Sequence, residues 1–259
     1  MPTRVTPPNG APCWADLWTS DVDGARRFYG ELFGWESSDP QPEFGGYLTF
    51  SRDGVQVAGA MGDMGDMKAD NRWKVYFATS DADATLKSAS SEGAQVVAGA
   101  MAVADLGVQS VLVDPTGVVF GTWQPGTFAG FTVLDEHGTP CWFDLATREH
   151  DRAVAFYSAV LGWEVDQQIK NAQTTYTLLR TSGGGPLIAG IADASGFLPE
   201  GAPGSWTVYW QVDDVAGPVA TVERLGGSVL MPAQTTPYGI VADVADPTGA
   251  GFKLRSLPA

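Results

Sequence analysis

Two aspartates lie beside tryptophans in segments with the character of β-strands. Asp16 stands two residues after Trp14 and two before Trp18, and Asp144 stands two residues after Trp142. Side chains alternate between the faces of a strand, so each aspartate shares a face with its tryptophans. A carboxyl group in an aromatic cavity has a raised pKa and can serve as a general acid or base. Asp16 and Asp144 are therefore the candidate catalytic residues, unless hydrogen bonds or ion pairs give them a purely structural role.

Both aspartates belong to a repeated segment. Residues 12–36 and 140–164 lie 128 positions apart and share about half of their residue types. This period is much longer than that of a solenoid, so the repeat predicts a duplicated domain. The matched positions include the pairs Pro12/Pro140, Cys13/Cys141, Phe28/Phe156, Tyr29/Tyr157, Gly34/Gly162 and Trp35/Trp163.

The composition limits the classes of partner. The chain has 259 residues, a net charge of −15 and 44% hydrophobic residues. A core is therefore expected, whereas nucleic acid and anionic membranes are not expected as partners. We expect a cytoplasmic monomer or homodimer that binds a small organic ligand or substrate, because no signal peptide or membrane span is evident. Cys13 and Cys141 are predicted to be buried thiols rather than a disulfide framework.

The order of elements repeats four times. A strand at 12–20 precedes a helix at 22–33, whose buried stripe includes Phe28 and Tyr29, and three strands follow. The sequence predicts an α+β fold of four βαβββ units, with turns at 114–117 and 246–249 that both read DPTG. The predicted divisions are a loose N-terminal arm (1–11), a first domain (12–124), a linker (125–139) and a second domain (140–259).

These motifs carry a resemblance to a known family. The chain resembles the vicinal-oxygen-chelate superfamily in its W-x-D-L strand, its FY helix followed by GW, and its DPTG turn, each of which occurs twice. It is most similar to tandem two-domain actinobacterial members. The resemblance implies paired βαβββ modules whose curved, mixed sheets form cups. Glyoxalase I, extradiol dioxygenases and bleomycin-resistance proteins share this fold, so the resemblance does not by itself assign a function.

The resemblance also implies where a metal would bind. Its ligand positions fall on Trp14, Lys74 and Gly121 in the first domain and on Trp142, Thr207 and Lys253 in the second. Only Thr207 could serve, and weakly, as a donor to a divalent metal. The two histidines, His137 and His150, are expected to be solvated or to cap a helix. We therefore predict that the protein has no metal site and no cofactor.

Strand parity, taken with the resemblance, predicts which side chains face the cups. An aromatic surface with a few polar groups is typical of a small-molecule pocket. Lys74 and Lys253 are the cations that could pair with the aspartates. The predicted ligand-binding residues are Trp14, Trp18, Lys74, Tyr76, Trp123, Trp142, Tyr209, Gln211 and Lys253.

Three functions agree with these features. The first is a metal-independent enzyme of the lyase, isomerase or cyclase type that acts on a small, largely apolar or aromatic molecule. The second is a protein that sequesters an antibiotic or metabolite, as resistance members of the family do. The third is a glyoxalase-like detoxification enzyme whose metal site is not evident from the sequence.

Overall fold

A computed structural model describes residues 6–171 and 175–257, and its strands form two eight-stranded mixed sheets. The first half comprises β1 (Pro12–Trp18), α1 (Val22–Phe33), β2 (Glu36–Ser37), β3 (Leu48–Arg52), β4 (Val55–Met61), β5 (Arg72–Ala78), α2 (Ala82–Ser91), β6 (Gln95–Val103), β7 (Gly107–Val113) and β8 (Val119–Pro125). The second half comprises β9 (Pro140–Thr147), α3 (His150–Leu161), β10 (Glu164–Lys170), β11 (Thr175–Arg180), β12 (Leu187–Asp193), β13 (Ser205–Gln211), α4 (Ala216–Arg224), β14 (Ser228–Thr236), β15 (Gly239–Ala245) and β16 (Gly251–Ser256). The predicted α+β class with four βαβββ units is confirmed.

Each sheet joins two βαβββ units through their first strands. The strand orders are β2-β3-β4-β1-β5-β8-β7-β6 and β10-β11-β12-β9-β13-β16-β15-β14. β1 and β5 are antiparallel neighbours at the centre of the first sheet, and β9 and β13 occupy the same place in the second. These central strands carry both candidate aspartates, so each aspartate lies in the middle of its sheet.

Local signals in the sequence account for the first helix. The Asp21 carboxylate accepts a hydrogen bond from the Gly24 N–H at 2.8 Å and caps the start of α1. Gly34 ends the helix in the left-handed conformation, at a φ of 72°. The predicted apolar stripe is buried, with Phe28 2% and Tyr29 0% exposed.

One predicted boundary is wrong and one is confirmed. The strand predicted at 12–20 ends at Trp18, whereas the helix predicted at 22–33 has these bounds in the structure. Close to the start of α4, the Asp214 carboxylate accepts from the Gly217 N–H at 2.8 Å.

The N-terminal arm is not loose where the structure describes it. The Gly10 N–H donates to the Ala78 carbonyl at 2.7 Å, and the Asn9 side chain accepts from the Ser80 N–H at 2.9 Å. The Gly10 carbonyl accepts from Trp163 Nε1 at 2.8 Å, so the arm also touches the second half. Residues 1–5 of the predicted arm lie outside the described residues.

The helix-bearing faces of the two sheets pack against each other through aromatic side chains. Phe33 of α1 lies 6.0 Å, between ring centroids, from Trp210 of β13. In the reciprocal contact, Tyr157 of α3 lies 6.0 Å from Phe77 of β5. The two halves therefore share one core, and the concave faces of the sheets point away from it.

Two hydrogen bonds cross this shared core. The Tyr29 hydroxyl donates to Asp246 Oδ2 at 3.1 Å, and the Tyr157 hydroxyl donates to Asp114 Oδ2 at 2.9 Å. The other oxygen of Asp114 accepts from the Thr116 N–H at 2.7 Å, so the same carboxylate also holds the predicted DPTG turn. The turns and helix motifs of opposite halves are thus joined directly, a connection that the sequence analysis did not predict.

The longest helices in the described part of the chain have 12 residues. No helix among residues 6–171 and 175–257 is long and apolar enough to cross a membrane.

Removal of the Tyr29 or Tyr157 hydroxyl tests whether its hydrogen bond to the opposite half stabilises the shared core. We expect Tyr29→Phe and Tyr157→Phe each to lower the free energy of unfolding by about 1–3 kcal/mol, because each leaves a buried carboxylate oxygen without its donor. Urea unfolding should still show one transition for both halves. Tyr238→Phe is the control, since Tyr238 is 52% exposed and should change stability by less than about 0.5 kcal/mol. Equal effects of all three changes would contradict the assignment.

Candidate functional site

The Asp16 carboxylate is the centre of a hydrogen-bonded cluster in the first cup. Trp14 Nε1 donates to Asp16 Oδ1 at 2.8 Å, and the Tyr47 hydroxyl donates to the same oxygen at 2.7 Å. Trp14 Nε1 also lies 2.8 Å from the Tyr47 hydroxyl, and Tyr76 contributes a further hydrogen bond to Asp16. We call Trp14, Asp16, Tyr47 and Tyr76 the first tetrad.

The second cup repeats this cluster around Asp144. Trp142 Nε1 and the Tyr176 hydroxyl donate to Asp144 Oδ1 at 2.8 and 2.7 Å. The Tyr209 hydroxyl donates to Asp144 Oδ2. These four residues form the second tetrad, and both aspartates are only 9% exposed.

Strand register brings the members of each tetrad together. Trp14 faces Tyr76 across the antiparallel pair of β1 and β5, and Asp16 faces Lys74 in the same pair. In the second sheet, Trp142 faces Tyr209 and Asp144 faces Thr207. The predicted parity therefore places these side chains on one face of each sheet.

Tyr47 and Tyr176 were missed by the sequence analysis. Tyr47 immediately precedes β3, which is separated from β1 by β4, so its hydroxyl must reach across one strand to Asp16. Gly59 lies beside Asp16 in β4, and a Cβ at Gly59 would overlap the Tyr47 hydroxyl. Gly190 leaves the same space for Tyr176 in the second sheet. The available signal was that both halves carry an Ala-Gly pair within a strand, Ala58-Gly59 and Ala189-Gly190, since glycine in a strand permits close approach.

Burial sets the electrostatics of the first cup. It raises the pKa of the Asp16 carboxyl above 3.8, although the Tyr47 hydrogen bond and the Lys74 charge oppose this change. Burial and the adjacent carboxylate raise the pKa values of the Tyr47 and Tyr76 hydroxyls. The tyrosines consequently remain protonated donors.

The predicted lysines lie at different positions in the two cups. Lys74 Nζ stands 4.3 Å from the centroid of the Trp18 ring, and burial lowers its pKa. In the second cup, Lys253 Nζ donates to the Tyr209 hydroxyl at 3.0 Å and lies 3.7 Å from Asp243 Oδ1. Burial raises the pKa of Asp243, a residue that the sequence analysis did not select.

The other predicted ligand-binding residues, Trp123 and Gln211, lie in β8 and at the end of β13. Trp123 Nε1 donates to the Phe128 carbonyl at 2.8 Å. Gln211 accepts from the Arg255 guanidinium at 3.3 Å. Beside Arg255, a cleft of about 760 Å³ opens along β9 and includes Trp142 in its wall.

The environments of one histidine and one cysteine differ from the predictions. His150 is neither solvated nor a helix cap: it is buried as the first residue of α3, and its Nε2 lies 3.0 Å from Thr177 Oγ1 in β11. Cys141 is partly exposed in the wall of the cleft, whereas Cys13 is buried as predicted. The largely buried setting of Cys141 still raises its pKa to about 12, so its thiol is protonated at neutral pH.

The family metal positions do not fit a divalent metal in this chain. Trp14 Nε1 donates hydrogen bonds to Asp16 and Tyr47, so it presents no lone pair. The Tyr76 ring covers Gly121, where a Cβ would overlap the ring. Lys253 takes the corresponding position in the second sheet. Within residues 6–171 and 175–257, no three His, Cys, Asp or Glu side chains come together as a metal-binding group.

Comparison with known proteins agrees with the fold and the duplication. The glyoxalase-like domain family matches residues 14–122 and 142–255. The protein "Putative glyoxylase CFP32" of Mycobacterium tuberculosis is 34% identical over 262 residues, which cover 98% of this chain and 97% of the relative. "Anthracycline biosynthesis protein DnrV" of Streptomyces peucetius is 36% identical over 273 residues, covering 98% and 95%.

A solved structure gives the same fold at lower identity. The Mn(II)-bound glyoxalase from Novosphingobium aromaticivorans aligns with a TM-score of 0.65 and 18% identity, covering 96% of this chain and 82% of that one. The family match includes both repeats, and its bounds contain Asp16 and Asp144. This protein therefore belongs to the glyoxalase-like domain family and carries two such domains in tandem, each with the vicinal-oxygen-chelate fold.

Proposed function

We propose that this protein binds a small, largely apolar or aromatic organic molecule and transforms it without a metal, as a lyase, isomerase or cyclase. The observation that carries this proposal is the buried aspartate carboxyl of each cup, Asp16 and Asp144, which is 9% exposed and accepts hydrogen bonds from a tryptophan and a tyrosine. A buried carboxyl group in such a setting can act as a general acid or base towards a bound substrate. The proposed setting is the cytoplasm, where the protein acts as a monomer or homodimer.

The tetrads suggest how the proton would move. The aspartate takes a proton from a carbon or oxygen of the substrate, and the electron pair left behind forms a negatively charged substrate oxygen. The neutral carboxyl then needs fewer donors, so a tyrosine hydroxyl can turn to that oxygen. Return of the proton to another atom of the substrate completes an isomerisation. In a cyclisation, a carbon of the anion attacks a carbonyl carbon of the same molecule, the C=O electron pair moves to its oxygen, and that oxygen takes the proton. In an elimination, the negatively charged oxygen re-forms its C=O bond, the bond to the departing group breaks, and that group takes the proton.

The relatives support the ligand class by analogy. DnrV is named for anthracycline biosynthesis, and its name therefore refers to an aromatic small molecule. Because one fold hosts many chemistries, this analogy supports the class of ligand and not a specific reaction.

Replacement of each aspartate tests the acid/base role. We expect substitution of the aspartate in the cup that binds substrate, Asp16→Asn or Asp144→Asn, to lower turnover by about 10²- to 10⁴-fold while ligand binding is retained. Turnover is followed by mass spectrometry of a metabolite extract from the source organism, incubated with each variant. Asp39→Asn, at an exposed position, is the control. Unchanged turnover in both cup variants would remove the proposed role.

The raised pKa of Asp16 also predicts how stability depends on pH. The folded state holds this proton more tightly than the unfolded state, whose aspartate pKa is about 3.9. The contribution of Asp16 to stability is therefore greatest below that value and is lost as pH rises through the folded-state pKa. Urea unfolding from pH 4 to 8 should show that the stability of wild type relative to Asp16→Asn falls as pH rises. A difference that is constant or grows with pH would disprove this shift.

Metal independence has its own test. Protein dialysed against a chelator should retain full turnover, and added Mn(II) or Zn(II) should not increase it, because the family ligand positions hold Trp14, Lys74 and Gly121. Metal content is measured on the same samples. Loss of turnover on chelation with recovery on addition of Mn(II) would favour a glyoxalase-like detoxification enzyme instead.

Sequestration is the second candidate function. The observation in its favour is that Asp16 Oδ1 already accepts from Trp14 and Tyr47, so the network is saturated in the resting state. A saturated buried network makes a rigid wall for a ligand. Quenching of tryptophan fluorescence by a bound metabolite that is recovered unchanged would select this function over the enzyme.

A further inference from the structure

The two cups differ at the end where the linker packs on the tryptophan of the first tetrad. The ring of Phe128 lies 4.8 Å from that of Trp14 in an edge-on contact and 6.0 Å from that of Trp123. Trp123 Nε1 also donates to the Phe128 carbonyl at 2.8 Å, which fixes the linker at this point. An aromatic side chain of the protein itself thus covers the tryptophan of the first tetrad.

A second aromatic residue of the linker also packs on Trp14. The Phe131 N–H donates to the Cys13 carbonyl at 2.7 Å, and its ring lies 5.2 Å from Trp14. Gly130 has a φ of +91°, and a Cβ there would overlap the Cys13 carbonyl, so only glycine lets the linker lie this close to β1. Trp14 and Cys13 are consequently 5% and 0% exposed.

The second cup is open at the corresponding place. Arg255 stands nine residues after the aspartate of its DPTG turn, where the first domain has Trp123. Cys141 and Trp142 are partly exposed and line the cleft of about 760 Å³. This volume lies within the range of small-molecule sites. The rest of its apolar wall comes from both halves of the chain: Pro8 and Ala11 of the N-terminal arm, Pro12 of β1, Leu134 of the linker, and Phe143, Pro186, Leu187 and Ile188 of the second domain.

We propose that the cleft of the second domain is the ligand site of the protein and that it takes a planar aromatic molecule bearing phenol or carbonyl oxygens. This inference rests on the proposed function, which it narrows to one cup. The first domain shows which groups pack against the tetrad tryptophan, since Phe128 and Phe131 place aromatic rings on Trp14. A ligand ring occupies the equivalent space on Trp142.

The charges of the cleft define the polar part of the ligand. The Arg255 guanidinium pairs with Asp135 at 2.9 Å and with Gln211 at 3.3 Å, so its charge is balanced by a neighbour in the wall. Because Asp135 already neutralises the charge of Arg255, the cleft does not require an anionic ligand. The guanidinium N–H groups can instead donate hydrogen bonds to a phenol or carbonyl oxygen of a neutral ligand. The remaining walls are mostly apolar and favour fused aromatic rings.

Paired substitutions at one register position test the choice of cup. Leu187 is 43% exposed in the cleft wall, and Gln56 stands at the matching position of β4, three residues before the glycine that lies beside the aspartate. The probe is 1,8-dihydroxyanthraquinone, a planar tricyclic phenol, titrated by calorimetry and tryptophan fluorescence. We expect one site per wild-type chain, at least tenfold weaker binding for Leu187→Trp and unchanged binding for Gln56→Trp.

The outcomes separate this inference from the function on which it rests. Weakening by Gln56→Trp but not by Leu187→Trp would overturn the assignment to the second cleft and leave small-molecule binding intact. The assignment would also be overturned if the wild-type protein binds the probe and neither substitution changes the affinity. A wild-type protein that does not bind the probe would overturn the aromatic ligand class. If Leu187→Trp does not fold, Thr6→Trp blocks the cleft from the opposite wall and decides the test in the same way.

Discussion

The hydrogen bonds from Tyr29 to Asp246 and from Tyr157 to Asp114 fix the relation between the two domains. Each aspartate also holds its own DPTG turn, so one carboxylate orders a loop and joins it to the opposite half. The rings of these tyrosines lie in the aromatic core between the sheets, where a carboxylate without a donor would be costly. The helix-bearing faces are committed to this core, which leaves the concave faces for ligands.

The tetrads place a second set of buried polar groups on those concave faces. A buried carboxylate is tolerated in an aromatic cup only when donors surround it, and here one indole and two phenols serve that purpose. Three donors on one carboxylate also fix its orientation. This geometry suits both a rigid binding wall and a poised acid or base, and turnover rather than affinity separates the two.

Much of this arrangement could be predicted from the sequence because strand alternation is a local rule. Trp14, Asp16 and Tyr76 share a face through their own strands and through direct pairing. The contact of Tyr47 with Asp16 crosses an intervening strand and depends on the missing side chain of Gly59, which strand parity does not reveal. Phe128 lies in a linker without regular structure, so no periodicity indicates that it packs on Trp14. The hydrogen bond between Tyr29 and Asp246 could not be predicted either, because these residues are 217 positions apart and periodicity reports only local structure.

The duplicated domains differ mainly where the shared core does not constrain them. The crossing residues occur as identical pairs, such as Tyr29 with Tyr157 and Asp114 with Asp246. A change at one such position would break a contact in the other half. The concave positions outside the tetrads carry no such reciprocal contact, and four of them have diverged in size and charge. The differing pairs are Trp18 with Ala146, Lys74 with Thr207, Gly121 with Lys253 and Trp123 with Arg255. In the first cup the linker covers the tetrad tryptophan, whereas in the second cup the tetrad tryptophan, Trp142, lies in the wall of the cleft beside Arg255. The cups can therefore differ because the contacts of the shared core constrain the two domains together, whereas substitutions on one concave face do not affect the other.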